Sequence, residues 1–154
     1  MPNGGAVRLA EFDALTAPEA AEAMLRCVAI PRWARAVAAR RPYGDRGRLL
    51  RTARELASTW TWLEVSEALD SWPFLSAGAS AAPDGSTAAD LHAVSAAYHA
   101  RFGRSLVVAP SGRTTSDLLR LAVRRLLMDE ESERVATTAE LREISLRRLR
   151  RMIA

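Results

Sequence analysis

Only one run of the chain favours β-structure, and it is four residues long: Leu106–Ala109. So short a run, with no second strand-like run to pair with, cannot build a sheet. Elsewhere, apolar residues recur at three- and four-residue spacing between short breaks, which is the pattern of amphipathic helices. We therefore predict an all-α fold, a single-domain helical bundle with one short extended segment at residues 106–109.

Capping signals indicate where the helices begin. Thr16 and Glu19 form a capping-box pattern with Pro18 in the first turn, and Thr114 begins a second such signal. The stretch Ser76–Ser86 is rich in Ala, Gly, Ser and Pro and is predicted to be a loop. The predicted helices run from Thr16 to about Cys27, Pro31 to Arg41, Arg48 to Ala57, Leu63 to Leu69, Ser86 to Arg101, Thr114 to Met128 and Ser132 to Ile153.

Length and composition predict one domain. Residues 1–10 read as a disordered leader, and residues 11–154 are long enough to bury a core of their own. No apolar run approaches the roughly 18 residues that a transmembrane helix needs. Cys27 is the only cysteine, so no internal disulfide can form, and we expect a cytoplasmic protein.

The chain contains no lysine and no glutamine, and its only asparagine is Asn3. Schiff-base chemistry and a phosphate-loop lysine are therefore excluded. All 22 basic side chains are arginines, so polar contacts depend on arginine, acidic and hydroxyl groups, the indoles and the two histidines.

Arg148 is the clearest candidate for a functional group. On a helix that turns about 100° per residue, Leu141, Ile144, Arg148 and Met152 share a narrow sector, with Arg148 near its centre. An arginine in an apolar stripe is costly unless it is paired. Either a carboxylate from another helix pairs with it or the side chain reaches water, or its planar fork binds an anionic substrate.

Nine blocks of residues are spread over most of the chain: Phe12–Leu15, Ile30–Ala34, Arg41–Tyr43, Leu69–Leu75, Tyr98–Gly103, Leu106–Ala109, Gly112–Thr114, Glu140–Ile144 and Arg148–Leu149. In this order and at roughly this spacing, they resemble the OHCU decarboxylase family. The enzymes of that family remove CO2 from 2-oxo-4-hydroxy-4-carboxy-5-ureidoimidazoline (OHCU) to give (S)-allantoin.

The resemblance implies the family's helical fold, in which the extended segment lines the substrate pocket with main-chain groups. It places Arg148 at the substrate-binding arginine, which makes it the catalytic candidate. Trp72 stands where the family has its catalytic histidine, and Phe74 stands where it has an arginine. The substrate-binding candidates are Trp72, Pro73, Phe74, Ser95, Leu106, Val108, Ala109 and Arg113.

These substitutions change the expected chemistry. Imidazole can carry a proton near neutral pH, whereas the indole of Trp72 only donates a hydrogen bond. The rings of Trp72 and Phe74 either fill a vacated pocket or line a drier cavity for a different ligand. The family's catalytic glutamate has no counterpart, since no glutamate occurs between Asp70 and Asp129; Asp84 there reads as a turn residue.

Other candidates have simpler readings. His92 and His99 are too far apart on one helix to chelate a metal together, so we expect surface histidines, no metal site and no cofactor. Cys27 reads as a buried structural thiol. Arg113 lies either in an anion-binding helix start or in a simple capped turn. Acidic residues interleave with the arginines of the last helix, so we expect no nucleic-acid partner.

Three functions follow from these features. The first is a cofactor-independent enzyme with a remodelled aromatic pocket, a decarboxylase or other lyase, an isomerase or a cyclase of a biosynthetic pathway. The second is a ligand-binding or partner protein without catalysis. The third is a genuine OHCU decarboxylase. We expect a small anionic or carbonyl-bearing substrate, no membrane partner, and a homodimer.

Overall fold

A computed structural model describes residues 5–71, 85–109 and 112–154, and within them the regular structure is helical. The chain divides into two compact units. We call Met1–Ser71 with Arg142–Ala154 the terminal unit, and Trp72–Leu141 the central unit. The helices are α1 (Leu9–Ala14), α2 (Ala17–Leu25), α3 (Pro31–Ala39), α4 (Arg46–Ala57), α5 (Trp62–Asp70), α6 (Gly85–Phe102), α7 (Thr115–Leu126) and α8 (Glu130–Met152).

The terminal unit contains α1 to α5 and the end of α8. The predicted capping box at Thr16 and Glu19 forms before α2, and Thr61 and Glu64 form another before α5. The indole N–H of Trp33 donates to the carbonyl of Ala53 at 3.0 Å, which ties α3 to α4. Its core is built from buried side chains that include Phe12, Met24, Ile30, Trp33, Val37, Leu49, Leu149 and Ile153.

Arginine and aspartate side chains satisfy the main chain at the breaks between these helices. The Asp13 carboxylate accepts from the N–H groups of Tyr43 and Gly44, both at 3.0 Å. The Arg41 guanidinium donates to the carbonyls of Phe12 and Leu15 at the end of α1. The unpaired carbonyls of a helix end are thereby bonded inside the protein.

The N-terminus is held against the C-terminus of the same unit. Val7 forms an isolated parallel bridge with Ile153, with a bond of 2.7 Å from the Val7 N–H to the Met152 carbonyl. The helix α1 follows from Leu9. Residues 7–10 of the expected leader are therefore structured, and residues 1–4 lie outside the described part.

The central unit contains α6, α7 and the beginning of α8. Gly103, with a φ of 70°, ends α6, a left-handed conformation that glycine adopts readily. Thr114 and Asp117 form the capping box that begins α7. Its core cluster consists of Leu91, Tyr98, Leu106, Val108, Leu118 and Ala122.

Most of the predicted helices are present, with differences at their ends. The helix α4 begins at Arg46 because the Asp45 carboxylate accepts from the Arg48 N–H, a cap that the apolar spacing does not reveal. Gly85 and Ser86 belong to α6, so the loop prediction is wrong for these two residues; residues 76–84 of that prediction lie outside the described part. The extended conformation of residues 106–109 is as predicted, since no helix includes them.

Candidate functional site

The extended segment, residues 106–109, is the most unusual element of the central unit. All four of its residues are buried. A buried peptide group that is neither in a helix nor in a sheet must find its hydrogen bonds elsewhere. Its bonds come from side chains of α7, α8 and the loop that precedes α7.

A buried ion-pair network holds the middle of this segment. The Arg125 guanidinium donates to the Val107 carbonyl through Nη1 at 2.8 Å. Its Nε lies 2.7 and 2.9 Å from the two carboxylate oxygens of Glu133, and Nη2 donates to Glu133 and to the Thr137 hydroxyl. The Tyr98 hydroxyl donates to the same carboxylate. These polar side chains are all at most 2% exposed, so each depends on the others for hydrogen bonding.

The electrostatics of Tyr98 agree with this arrangement. Burial raises the pKa of the Tyr98 phenol, and the adjacent Glu133 carboxylate raises it further. The phenol therefore remains a neutral hydrogen-bond donor at physiological pH. Tyr98 thus links α6 to the network rather than supplying an acid or base.

A second set of contacts fixes the end of the segment. The Glu140 carboxylate accepts from the Ala109 N–H at 2.7 Å and from the Arg113 guanidinium at 3.2 Å. Arg113 also donates to the Ala109 carbonyl at 2.9 Å. The side chain predicted to bind substrate is therefore engaged with Glu140 and the segment, and Thr114 with Asp117 forms the capped turn that was the alternative reading.

The remaining main-chain groups of the segment have no such partner. Among the described residues, no hydrogen bond reaches the N–H groups of Val107 and Val108 or the carbonyl of Val108. An unpaired buried peptide group costs about 1–3 kcal/mol. Groups of this kind, held on a fixed backbone, are suited to bind a polar ligand.

Arg148 lies in the terminal unit beside Cys27. Burial raises the pKa of the Cys27 thiol to about 12, although the positive charge of Arg148 lowers it in part. Partial burial lowers the pKa of the Arg148 guanidinium, and Cys27 opposes this shift. The thiol is therefore protonated at neutral pH, as expected for a structural cysteine, and Arg148 supplies the charge.

The predicted position of Arg148 at the centre of a buried stripe is wrong. The buried side chains of this half of α8 are Ser145, Leu146 and Leu149, and Arg148 is exposed. Ile144 and Met152, which defined the predicted stripe, are only half-buried. The core packs on a sector centred near Leu149, about 100° from Arg148.

Only some of the other predicted residues lie in the described part of the chain. Ser95 is half-buried on α6, and His92 and His99 are both exposed, as expected. Trp72, Pro73, Phe74 and Asp84 lie outside the described residues.

Within the described ranges, no three His, Cys, Asp or Glu side chains are grouped to hold a metal ion. No helix of this part of the chain is long and apolar enough to cross a membrane.

Sequence reasoning missed Arg125, Glu133 and Glu140 as organisers of the segment. A signal for Arg125 was present, since it follows Leu118 and Ala122 at the spacing of a buried helical stripe. No comparable signal marks Glu133, because an acid in the first turn of a helix is normally solvated. Glu140 has no such signal either, because its partners Ala109 and Arg113 are 31 and 27 positions away.

Comparison with known proteins gives a consistent result. A family model described as OHCU decarboxylase matches residues 13–150. A crystal structure of (S)-allantoin synthase is similar with a TM-score of 0.74 at 16% identity, over 96% of this chain and 54% of that one. A crystal structure of OHCU decarboxylase in the presence of (S)-allantoin is similar with a TM-score of 0.70 at 20% identity, over 84% of this chain and 94% of that one.

These likenesses establish the all-α fold that the sequence predicts. The chain spans about half the length of the allantoin synthase and nearly the whole length of the decarboxylase. No curated protein matches it.

Proposed function

Because this chain belongs to the OHCU decarboxylase family, we propose that it binds and converts a small carbonyl-bearing, anionic molecule without a cofactor. In this proposal the extended segment supplies main-chain hydrogen bonds to the ligand. Arg148, which belongs to the terminal unit, stays a separate prediction for binding an anionic group, and its guanidinium remains protonated at any physiological pH.

The observation that carries the proposal is that the N–H groups of Val107 and Val108 have no hydrogen-bond partner among the described residues. Both residues are buried, and neither N–H is bonded within the described part of the chain. Arg125 holds the carbonyl of Val107, and Glu140 holds the N–H of Ala109. The segment is thus fixed before any ligand arrives, so binding does not have to order it, which favours affinity.

The proposed reaction class is that of a decarboxylase or other lyase, an isomerase or a cyclase of a biosynthetic pathway. Such reactions can be accelerated largely by holding the substrate in a reactive geometry. Trp72 replaces the histidine of the family, and an indole does not exchange protons in water. Proton transfer would then involve water or the substrate itself.

A second candidate is a ligand-binding protein without catalytic activity. It is favoured by the composition of the chain between Asp70 and Asp129, which contains no glutamate, and by Trp72 at the histidine position. These losses also disfavour a genuine OHCU decarboxylase, which would lack both groups of its acid–base pair.

An activity assay separates the proposed function from a genuine OHCU decarboxylase. The purified protein is mixed with freshly generated OHCU, and (S)-allantoin formation is followed by circular dichroism. The proposal predicts no stereospecific acceleration. Fast formation of (S)-allantoin would instead establish a genuine decarboxylase.

A binding assay tests the site directly. Amide chemical shifts are recorded while small ureido, carboxylate and cyclic imide compounds, including (S)-allantoin, are added. The proposal predicts that a ligand that binds saturably shifts the amides of Val107 and Val108. The separate prediction for Arg148 is that Arg148→Leu weakens an anionic ligand at least tenfold, whereas its exposed neighbour Arg151→Leu, as a control, does not.

Either of two results would contradict the proposal. One is saturable binding that leaves the Val107 and Val108 amides unchanged. The other is a panel in which no compound binds. A homodimer and a cytoplasmic location stay predictions from the sequence, and sedimentation of the purified protein tests the first of them.

A further inference from the structure

Seven exposed arginines of the terminal unit lie on α4 and α8. Arg148 is the candidate for ligand binding, and we call the other six the arginine face: Arg46, Arg48, Arg51, Arg54, Arg150 and Arg151. Two contacts bring the helices together in antiparallel order. Arg46 at the start of α4 donates to the Arg150 carbonyl near the end of α8, and Arg142 donates to the Ala57 carbonyl at the end of α4 at 2.8 Å.

The arginine face is not neutralised by ion pairs within the described part of the chain. None of its members forms an ion pair with another described residue. Three acids occur on the same elements: Asp45, Glu55 and Glu143. Asp45 is committed to capping α4, and Glu55 makes no ion pair with Arg51, although the two are four residues apart.

Charge is unevenly distributed between the two units. The terminal unit has fifteen arginines and ten acids, a net charge of +5, whereas the central unit has seven arginines and eight acids, a net charge of −1. In the central unit, four arginines are paired with glutamates: Arg104, Arg113, Arg125 and Arg134. The acids Glu130 and Glu133 at the start of α8 pair with arginines of the central unit. They form no ion pair with the arginines at the end of α8.

The chemistry of the face distinguishes between classes of partner. The sequences of α4 and of α8 from Arg142 onward contain no aromatic residue on which unpaired bases could stack. The exposed large apolar side chains of the described residues lie on or beside other helices or, for Val135, in the central-unit part of α8, so this face has no group to insert into a lipid surface. An acidic protein surface remains, and arginine forks match carboxylates well.

The chain already shows this preference. Every ion pair among its described residues joins an arginine to a glutamate. Arg48, Arg51 and Arg54 repeat every three residues, which extends them over about 9 Å of helix axis. Glutamates that repeat at three- and four-residue spacing on a partner helix cover a similar length.

We propose that the arginine face docks an acidic partner protein that presents carboxylates along a helix. The proposal does not depend on the ligand or the reaction of the central unit. It concerns association of the folded protein with another protein. A synthetic peptide that carries glutamates along a helix is used as the probe.

The probe is a fluorescein-labelled, alanine-based helical peptide with glutamates at three- and four-residue spacing on one face. Binding to the full-length protein is followed by fluorescence anisotropy. The double variant Arg51→Glu/Arg54→Glu removes the centre of the face. The matched control is Arg120→Glu/Arg124→Glu, which changes two exposed arginines of α7 in the central unit and alters net charge equally.

We expect the peptide to bind, and its affinity to fall with added salt. The Arg51→Glu/Arg54→Glu variant should bind at least tenfold more weakly, and the α7 control should remain within twofold of the wild type. Circular dichroism melts of both variants check that they are folded.

Three results would overturn the proposal. The first is no peptide binding by the wild type, or binding that survives replacement of the glutamates by glutamines. The second is an equal loss in the face variant and the α7 control, which would indicate a net-charge effect. The third is tighter binding of a labelled oligothymidine that the face variant abolishes, which would indicate a nucleic-acid surface.

Discussion

Two arginine–glutamate pairs in this protein have nearly the same contacts and very different surroundings. Arg32 of the terminal unit binds Glu64 through two bonds of 2.7 and 2.9 Å, and it also donates to the carbonyl and the hydroxyl of Thr59. Arg125 of the central unit likewise binds Glu133 through Nε and Nη2, and it also donates to a backbone carbonyl and a threonine hydroxyl.

Exposure separates the two pairs. The side chains of Arg32 and Glu64 are 53% and 20% exposed, whereas those of Arg125 and Glu133 are 3% and 0% exposed. Water can replace the partner of an exposed charge but not that of a buried one. The comparison teaches that the contact pattern alone does not set the energetic importance of a pair. We therefore expect the loss of one partner to cost more stability in the buried pair than in the exposed pair.

Breaking the buried pair should have the largest effect. Arg125→Leu leaves the Glu133 carboxylate buried without its main donor, and we expect a loss of about 3–5 kcal/mol in the free energy of unfolding. Urea denaturation measures this loss. Arg120→Leu, an exposed arginine on the same helix, should change stability by less than about 0.5 kcal/mol. A loss as small as that of the control would remove the distinction between the pairs.

Replacing the whole network by apolar groups should cost less than breaking it. The variant Arg125→Met/Glu133→Leu/Tyr98→Phe buries no unpaired charge, but the Val107 carbonyl and the Thr137 hydroxyl lose their partner. We expect a deficit of about 1–3 kcal/mol relative to the wild type. If the triple variant is less stable than Arg125→Leu, then the loss in Arg125→Leu does not arise from an unpaired buried charge.

Removing only the phenol oxygen should have an intermediate effect. In Tyr98→Phe the Glu133 carboxylate keeps Arg125 and loses one donor, so a loss of about 1–2 kcal/mol is expected in urea denaturation. Phe102, which packs against Tyr98 with ring centroids 4.6 Å apart, should be little disturbed because the ring at position 98 is retained. A loss below about 0.5 kcal/mol would show that this donor is dispensable.

The exposed pair should show the smallest effect, visible mainly as a pH dependence. Arg32 lowers the pKa of the Glu64 carboxyl from 4.5 to about 2, with a further contribution from the Thr61 N–H. The stabilisation is therefore complete above pH 4.5 and is lost as the pH falls toward 2. Arg32→Ala should lower the free energy of unfolding by less than about 1 kcal/mol at neutral pH. It should also reduce the loss of stability as the pH falls from 4.5 toward 2.

Thermal melts of the wild type and Arg32→Ala between pH 2 and pH 6 measure the difference. The two curves should converge at the acidic end and separate above the ordinary carboxyl pKa of about 4.5. A separation that stays constant over this range would mean that the Glu64 carboxylate is not what Arg32 stabilises.

The helices were predictable wherever their ends carry a local signal. Thr16 with Glu19, and Thr114 with Asp117, form the capping boxes that their spacing indicates. The helix α1 was missed because its N-cap is Arg8 and because a bond from the Leu9 N–H to the Ala154 carbonyl supports its start. A contact between the two ends of a chain has no local signature in the sequence.

The candidate site was predictable in part, for a related reason. The extended segment is recognisable from its β-favouring residues, but the side chains that hold it are 18 and 31 positions away from the groups they bond. The rule that selected Arg148, an arginine on an apolar stripe, applies equally to Arg125 after Leu118 and Ala122. Only burial distinguishes the two, with Arg125 2% exposed and Arg148 on the surface.

Hydrogen exchange tests most directly whether the buried network holds the extended segment. Amide exchange is compared between the wild type and Arg125→Met/Glu133→Leu/Tyr98→Phe, under conditions in which both are folded. The account predicts at least tenfold faster exchange for the Ala109 amide and its neighbours in the segment, beyond any change in the buried core of α3. The account would be contradicted if exchange in the segment increased by no more than exchange in the α3 core.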